Sequence, residues 1–275
     1  MPINYLKQIQ LGEFNEDGYR IIPSDDVASI IEGFYVFSKD PNDNSHLIFN
    51  DGYPVLVFLQ SMEHAVEVTN ECNNFEIKAV WASAGSVKNV YVKYSQNTEQ
   101  IFVVRFHPGA FYRLFNLDAP YFRNNPVAPF AAIAKNNNFS VKDFYECDRI
   151  DEKISFISKY VRNVFKQTSV PGLLHQTLEY IHNIKGNSTV RALSVDAGVN
   201  YKWLERSFVK NIGLLPKEYI QLQRFIHAYL ELVGTESVDL MRVAVSNGYY
   251  DANHFLKDFK SYTGKTPMEY LRSYS

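Results

Sequence analysis

The sequence predicts an α+β protein: a β-rich N-terminal domain, with a cupin-like barrel as its candidate architecture, followed by an all-α C-terminal domain. Three observations predict it. Short aromatic and β-branched runs broken by turn residues fill roughly the first 106 residues, and after Ala110 the apolar spacing becomes helical. Near the C-terminus, VAVSNGYYDANHFLKDFKSYTGKTPMEY restates LSVDAGVNYKWLERSFVKNIGLLPKEY. With 275 residues, 46% hydrophobic and 15% aromatic, the chain can bury two cores. No window offers the roughly 18 unbroken apolar residues of a membrane span, so the expected compartment is the cytoplasm.

Along the N-terminal part, IIEGFYVF, HLIFNDGYPVLVFL, SVKNVYVKY and QIFVVRF read as strands, separated by turn segments such as KDPNDNS. Asn50-Asp51-Gly52 between two apolar runs predicts a hairpin, with Pro54 keeping the second strand's start off the ladder. AFYRLFNL predicts a short helix, and Ile150, Ile154, Ile157, Val161 and Phe165 share one face of a later one. KQTSVPG then breaks the pattern. The expected domains are 1–165 (β-rich with closing helices, for effector sensing or dimerisation) and 173–275 (helical), joined by a linker at 166–172. LLHQTLEYIHNIKGN opens the second domain as a helix ended by Gly186.

The restated stretches align at a separation of 51, pairing Leu204 with Phe255, Phe208 with Phe259, Gly213 with Gly264, Pro216 with Pro267, Glu218 with Glu269 and Tyr219 with Tyr270. Two copies are too few for a solenoid. In the first, Ser188 is the expected cap of a short helix carrying Val190, Leu193 and Ala197 on one face. Gly198 makes the turn, and Asn200 caps YKWLERSFVKN, which points Leu204 and Phe208 inward. In the second, Gly248 makes the turn and Asp251 caps ANHFLKDFKSY. Two short helices meeting at a glycine turn are a helix-turn-helix, whose second helix can enter a major groove. Between the copies, PKEYIQLQRFIHAYLELV predicts one long helix striped by Tyr219, Leu222, Phe225, Ile226 and Leu230, a rigid spacer for two reading heads.

These residues resemble the DNA-binding domain of the AraC/XylS transcription regulators over about 173–274, including both copies, the spacer helix and the endings GLLPKEY and GKTPMEY. The resemblance implies a transcription regulator, activator or repressor, that reads two major-groove segments about 34 Å apart. Upstream, LIFNDGYPVLVFL and IFVVRFHPGAFYRLFNLDAPYFRNNPV are similar to sensor-like domains in front of some of these regulators. That implies a small-molecule effector or another subunit. Double-stranded DNA, RNA polymerase and a second copy of the chain are the implied macromolecular partners, with no membrane and no cofactor.

On the first recognition helix, Lys202, Glu205 and Arg206 face the groove, with Tyr201 within reach of phosphate. Arg206 can grip guanine O6 and N7 together, and Glu205 can accept from cytosine N4. The matching face of the second helix carries Asn253, His254 and Lys257, of which Asn253 can pair with adenine N6 and N7. Bulk charge gives no such indication, because the formal net charge is -2 and residues from Pro171 onward carry 12 basic against 10 acidic groups. Phosphate contact therefore falls to a local set, Lys202, Arg206, Lys210, Lys257 and Lys260, with Glu179, Glu231, Glu236 and Asp239 expected away from it.

Rival readings are a protein-binding module or a DNA-associated enzyme with a thiol or metal site in the N-terminal half. The seven histidines, His46, His64, His107, His175, His182, His227 and His254, form no HxH or HxxxH pair. Cys72 and Cys147 form no CxxC, and Cys147 sits between Glu146 and Asp148, poor company for an activated thiolate. No enzyme is expected.

Overall fold

The computed structural model describes residues 3–12, 18–38, 45–71, 73–95, 98–118, 121–134, 138–165, 172–234 and 239–272. A helix, α1 (Ile3–Leu11), precedes the strands β1 (Gly18–Ile21), β2 (Ile31–Ser38), β3 (His46–Leu47), β4 (Val55–Phe58), β5 (Ala65–Thr69), β6 (Asn74–Lys78), β7 (Val80–Ser83), β8 (Tyr91–Tyr94) and β9 (Gln100–Phe106). After α2 (Ala110–Leu114) and α3 (Tyr121–Asn124), β10 (Val127–Pro129) completes the sheets. The barrel expectation resolves into two antiparallel sheets, ordered β1-β2-β9-β4-β7-β10 and β3-β8-β5-β6.

The larger sheet is apolar on both faces, which is why β2, β4 and β9 read as nearly continuous hydrophobic runs, whereas β5 of the smaller sheet alternates, with one face buried and the other open. One face sets Tyr35, Phe37, Val57, Trp81 and Val103 in a single cluster with Val66, Val68, Val92 and Tyr94 of the smaller sheet. The other, with Phe34, Val36, Leu56, Phe58 and Val104, packs on Phe111, Phe130, Phe144, Ile157 and Val161 of the helices that follow. These include α4 (Phe130–Ile133), α5 (Val141–Tyr145) and α6 (Ile150–Val164). On α6, Ile157 and Val161 are buried while Ile150, Ile154 and Phe165 pack half-buried at the same cluster, the face the sequence predicts.

The expected hairpin at Asn50-Asp51-Gly52 does not form. β3 pairs with β8 in the small sheet, whereas β4 pairs with β7 and β9 in the large one, so the turn is a crossover between sheets. Its residues are recruited elsewhere: the Asp51 carboxylate takes Arg105, and Gly52 lies against the Tyr219 ring.

Of the expected linker, residues 166–171 lie outside the described residues, and Gly172 already opens α7 (Gly172–Asn183). Then come α8 (Val190–Asp196), α9 (Tyr201–Ile212), α10 (Pro216–Gly234), α11 (Leu240–Ser246), α12 (Ala252–Thr263) and α13 (Pro267–Arg272). Thr189, not Ser188, caps α8, its hydroxyl accepting from Ala192 N at 3.1 Å. Two adjacent hydroxyl residues offer the same chemistry, and the neighbour one step nearer the helix fills the role.

Candidate nucleic-acid interface

The duplication is the same local chemistry executed twice. Asn200 accepts from Trp203 N at 2.8 Å to start α9, and Asp251 accepts from His254 N at 2.8 Å to start α12. Each helix ends at a left-handed glycine, Gly213 at φ 77° and Gly264 at φ 74°. Proline then opens the next helix. Glu218 accepts from Leu215 N and Glu269 from Thr266 N, both at 2.8 Å, closing the turn before it. Tyr219 and Tyr270, one residue on, are buried in each copy.

Both second helices are two-faced. Leu204 and Phe208 on α9, like Phe255 and Phe259 on α12, have no exposed surface, while Lys202, Arg206 and Lys210, and Asn253, His254, Lys257 and Lys260, are exposed. Glu205 is half-buried and lines a shallow concavity of about 530 Å³ with Lys202, Arg206, Val209 and Lys210. Tyr201 is 54% exposed at the first position of α9. The six residues predicted to read bases therefore stand on two helices, Lys202 and Arg206 in places corresponding to Asn253 and Lys257, whereas Glu205 corresponds to Leu256 and His254 to Trp203. The acidic residues sort partly as expected: Asp239 caps α11, and Glu231 binds Ser246 and Asn247 across α10 and α11. Glu179 Oε1 lies 3.4 Å from His175 Nε2 on α7, and Glu236 lies outside the described residues.

What the sequence does not reveal is how firmly the β-rich domain holds this unit. Phe49 stacks on Phe225 at 5.4 Å and on Tyr229 at 5.8 Å, both from the middle of α10. Gly52 sits at φ +96°, and a Cβ there would come within 2.3 Å of the Tyr219 ring, so the close approach of the crossover to α10 requires glycine. Gln223 donates to the Asp51 carbonyl, and Arg123 pairs with Glu218 at 3.0 Å. Asn89 N donates to Tyr262 O at 2.8 Å and the Tyr91 hydroxyl to Thr263 O at 2.7 Å. The apolar cluster between the two sheets thereby continues without a break into the helical domain.

Outside this region the side chains raised by the rival readings have structural surroundings. Burial and the neighbouring Glu152 push the Cys147 thiol above its ordinary range, opposite to activation. His107 packs edge-on to His175 at 6.3 Å, its pKa lowered by burial. Cys72 lies outside the described residues.

An exposed polar face on the second helix of each of two helix-turn-helix units defines a nucleic-acid-binding class of fold. Residues 193–273 match the family described as "Helix-turn-helix domain", and 19–128 match "Domain of unknown function (DUF6597)". The C-terminal region is an AraC-type helix-turn-helix domain. The uncharacterised HTH-type transcriptional regulators SAS0078 and SAR0107 of Staphylococcus aureus strains MSSA476 and MRSA252 are each 26% identical over 98 residues, 35% of this chain. The match spans 13% of those relatives' length. Among solved structures, ToxT from Vibrio cholerae aligns over 92% of this chain and 96% of its own at 16% identity and a TM-score of 0.44. The C-terminal domain of the response regulator yesN from Fusobacterium nucleatum aligns over 36% and 94% at 28% identity and a TM-score of 0.32.

Proposed function

We propose that the chain is a sequence-specific DNA-binding transcription regulator that reads two successive major-groove segments with α9 and α12. The observation that carries this is the pair of capped helices, each burying its apolar i, i+4 pair and leaving a basic and amide face open to solvent while the β-rich domain is docked behind. Bound sequences selected from a random duplex pool by the full chain should share two conserved blocks about one turn, roughly 10 base pairs, apart. One block, or none, would end the two-headed reading.

Arg206→Ala should weaken the selected site by about 1–3 kcal/mol and relax the base preference at one step, with little effect on random DNA. An equal loss on both would make Arg206 a phosphate contact. Lys260→Ala should behave oppositely, lowering affinity for all sequences alike and reducing the slope of log K against log salt by about one. A flat salt response in the wild type would turn the reading toward a protein-binding module.

For the β-rich domain we infer effector binding or dimerisation without catalysis. A buried, protein-unpaired Trp81 Nε1 and Ser83 Oγ lie two residues apart on β7 along the inner face of the large sheet, which supports a polar ligand between the sheets. Titration with candidate ligands while following Trp81 fluorescence in a Trp203→Phe background tests it, and the same samples report self-association by sedimentation.

A further inference from the structure

The β-rich domain does more than cover the back of the helical domain: it completes the end of one reading helix. An α-helix leaves its last carbonyls without internal partners, and they must be satisfied from elsewhere when the end is covered. At the end of α12, two of those carbonyls take their donors from a segment more than 170 residues away in sequence, Tyr262 O from Asn89 N and Thr263 O from the Tyr91 hydroxyl. The Lys88 ammonium stands 5.0 Å over the Tyr262 ring, placing a positive charge by the negative end of the helix. The donor segment is itself built for this. Asn89 adopts a left-handed backbone at φ 50° and is anchored by its side-chain amide to Glu71 at 3.0 Å, and its Oδ1 lies 2.2 Å from where a Cβ on Gly264 would be. A glycine at the end of α12 is therefore required twice, by its own φ and by the approach of Asn89.

Both helices close their last turn through the terminal glycine, Gly213 N to Val209 O at 3.1 Å on α9 and Gly264 N to Lys260 O at 2.9 Å on α12. What differs is the contact with the β-rich domain, which for α9 is packing against α2.

We propose that residues 88–91 are a positioning element for the second reading helix, holding α12 by its C-terminal carbonyls and so setting the angle at which Asn253, His254 and Lys257 meet DNA, while α9 is positioned by packing. This rests on the DNA-binding reading above. A shift of β8 and the turn before it is then transmitted to α12, and so to the second half-site, by two hydrogen bonds.

The test uses the full chain and the duplex selected by the wild type. Tyr91→Phe keeps the ring and removes one donor, and Lys88→Glu reverses the charge at the helix end. Each should lower protection of the second half-site about fivefold, the size expected for one hydrogen bond or a charge at a helix end, with the first half-site changed less than twofold. Without DNA, amide exchange in the last turn of α12 should accelerate in both variants and that of α9 should not. Equal weakening of both half-sites, or no change at either, would reduce the segment to general support. Tighter binding at the second half-site would make the docked loop a restraint, also overturning the proposal. A wild type that protects no duplex would remove the DNA-binding reading itself, and the exchange measurement would still decide whether α12 is held.

Discussion

Replacing Arg105 with leucine is expected to destabilise the folded protein by about 3–5 kcal/mol at pH 7, the cost of leaving buried carboxylates without their counter-charge. The Arg105 side chain is 5% exposed, pairs with Glu32 at 2.9 Å and with Asp51, and lies 3.9 Å beneath the Tyr53 ring. Leucine fills part of the volume and removes every one of these contacts. The loss should depend on pH in a set direction. Burial alone would raise the Glu32 pKa, and Arg105, with the Tyr35 hydroxyl and Arg20 beside it, outweighs burial, so that in the wild type Glu32 titrates below its usual 4.5. A depressed carboxylate pKa contributes stability above the unfolded value, lost as pH falls through the folded one. In the variant only the Tyr35 hydroxyl and Arg20 still oppose burial, so acid removes less stability there than in the wild type. Urea unfolding at pH 7 and pH 4 should show the gap between the two proteins narrowing at the lower pH; a constant gap would mean that packing, not charge, accounts for the loss.

Phe225→Ala should be as costly, about 3–5 kcal/mol, and should also change how the protein unfolds. Phe225 has no exposed surface and sits where the domains meet, stacked on Tyr262 at 4.4 Å and on Phe49 at 5.4 Å, with Phe259 at 5.8 Å. Alanine leaves a cavity in the segment of core that both domains share. The chain's two tryptophans report one domain each, Trp81 in the large sheet and Trp203 on α9. In single-tryptophan versions of the wild type the two transitions should coincide, as in a cooperative unit. With Phe225→Ala they should separate. Coincident transitions in the variant would show that the remaining contacts suffice to couple the domains.

The helical domain was legible in the sequence because its instructions are local. Asn200 and Asp251 cap, Gly198 and Gly248 turn, Gly213 and Gly264 terminate, and the apolar pairs at i, i+4 say which face goes inward. Residue type and spacing carry all of it, and the exposed faces follow by subtraction. The β-rich domain was legible as strands but not as sheets. Whether β3 and β4 pair with each other is decided by contacts across the molecule, Arg105 on Asp51 and Tyr219 on Gly52, and a local Asn-Asp-Gly pattern yields to them. Helix α1 is missed for a related reason: its Tyr5 earns its place by stacking on Phe37 at 4.2 Å, a distant partner. The docking between domains leaves no mark at all, since Phe49, Phe225 and Tyr262 are ordinary core residues by type.

The unbroken core also has a consequence during synthesis. Phe49 and the inner strands leave the ribosome first, but the rings that cover Phe49 arrive with α10 and α12, as late as Tyr262. At roughly 5–20 residues per second, Phe49 waits on the order of 10–40 s as part of an aromatic patch open to its surroundings. Elongation past α12, rather than completion of the sheets, is the moment at which the chain stops being adhesive, and chaperone occupancy on translating ribosomes should persist until then.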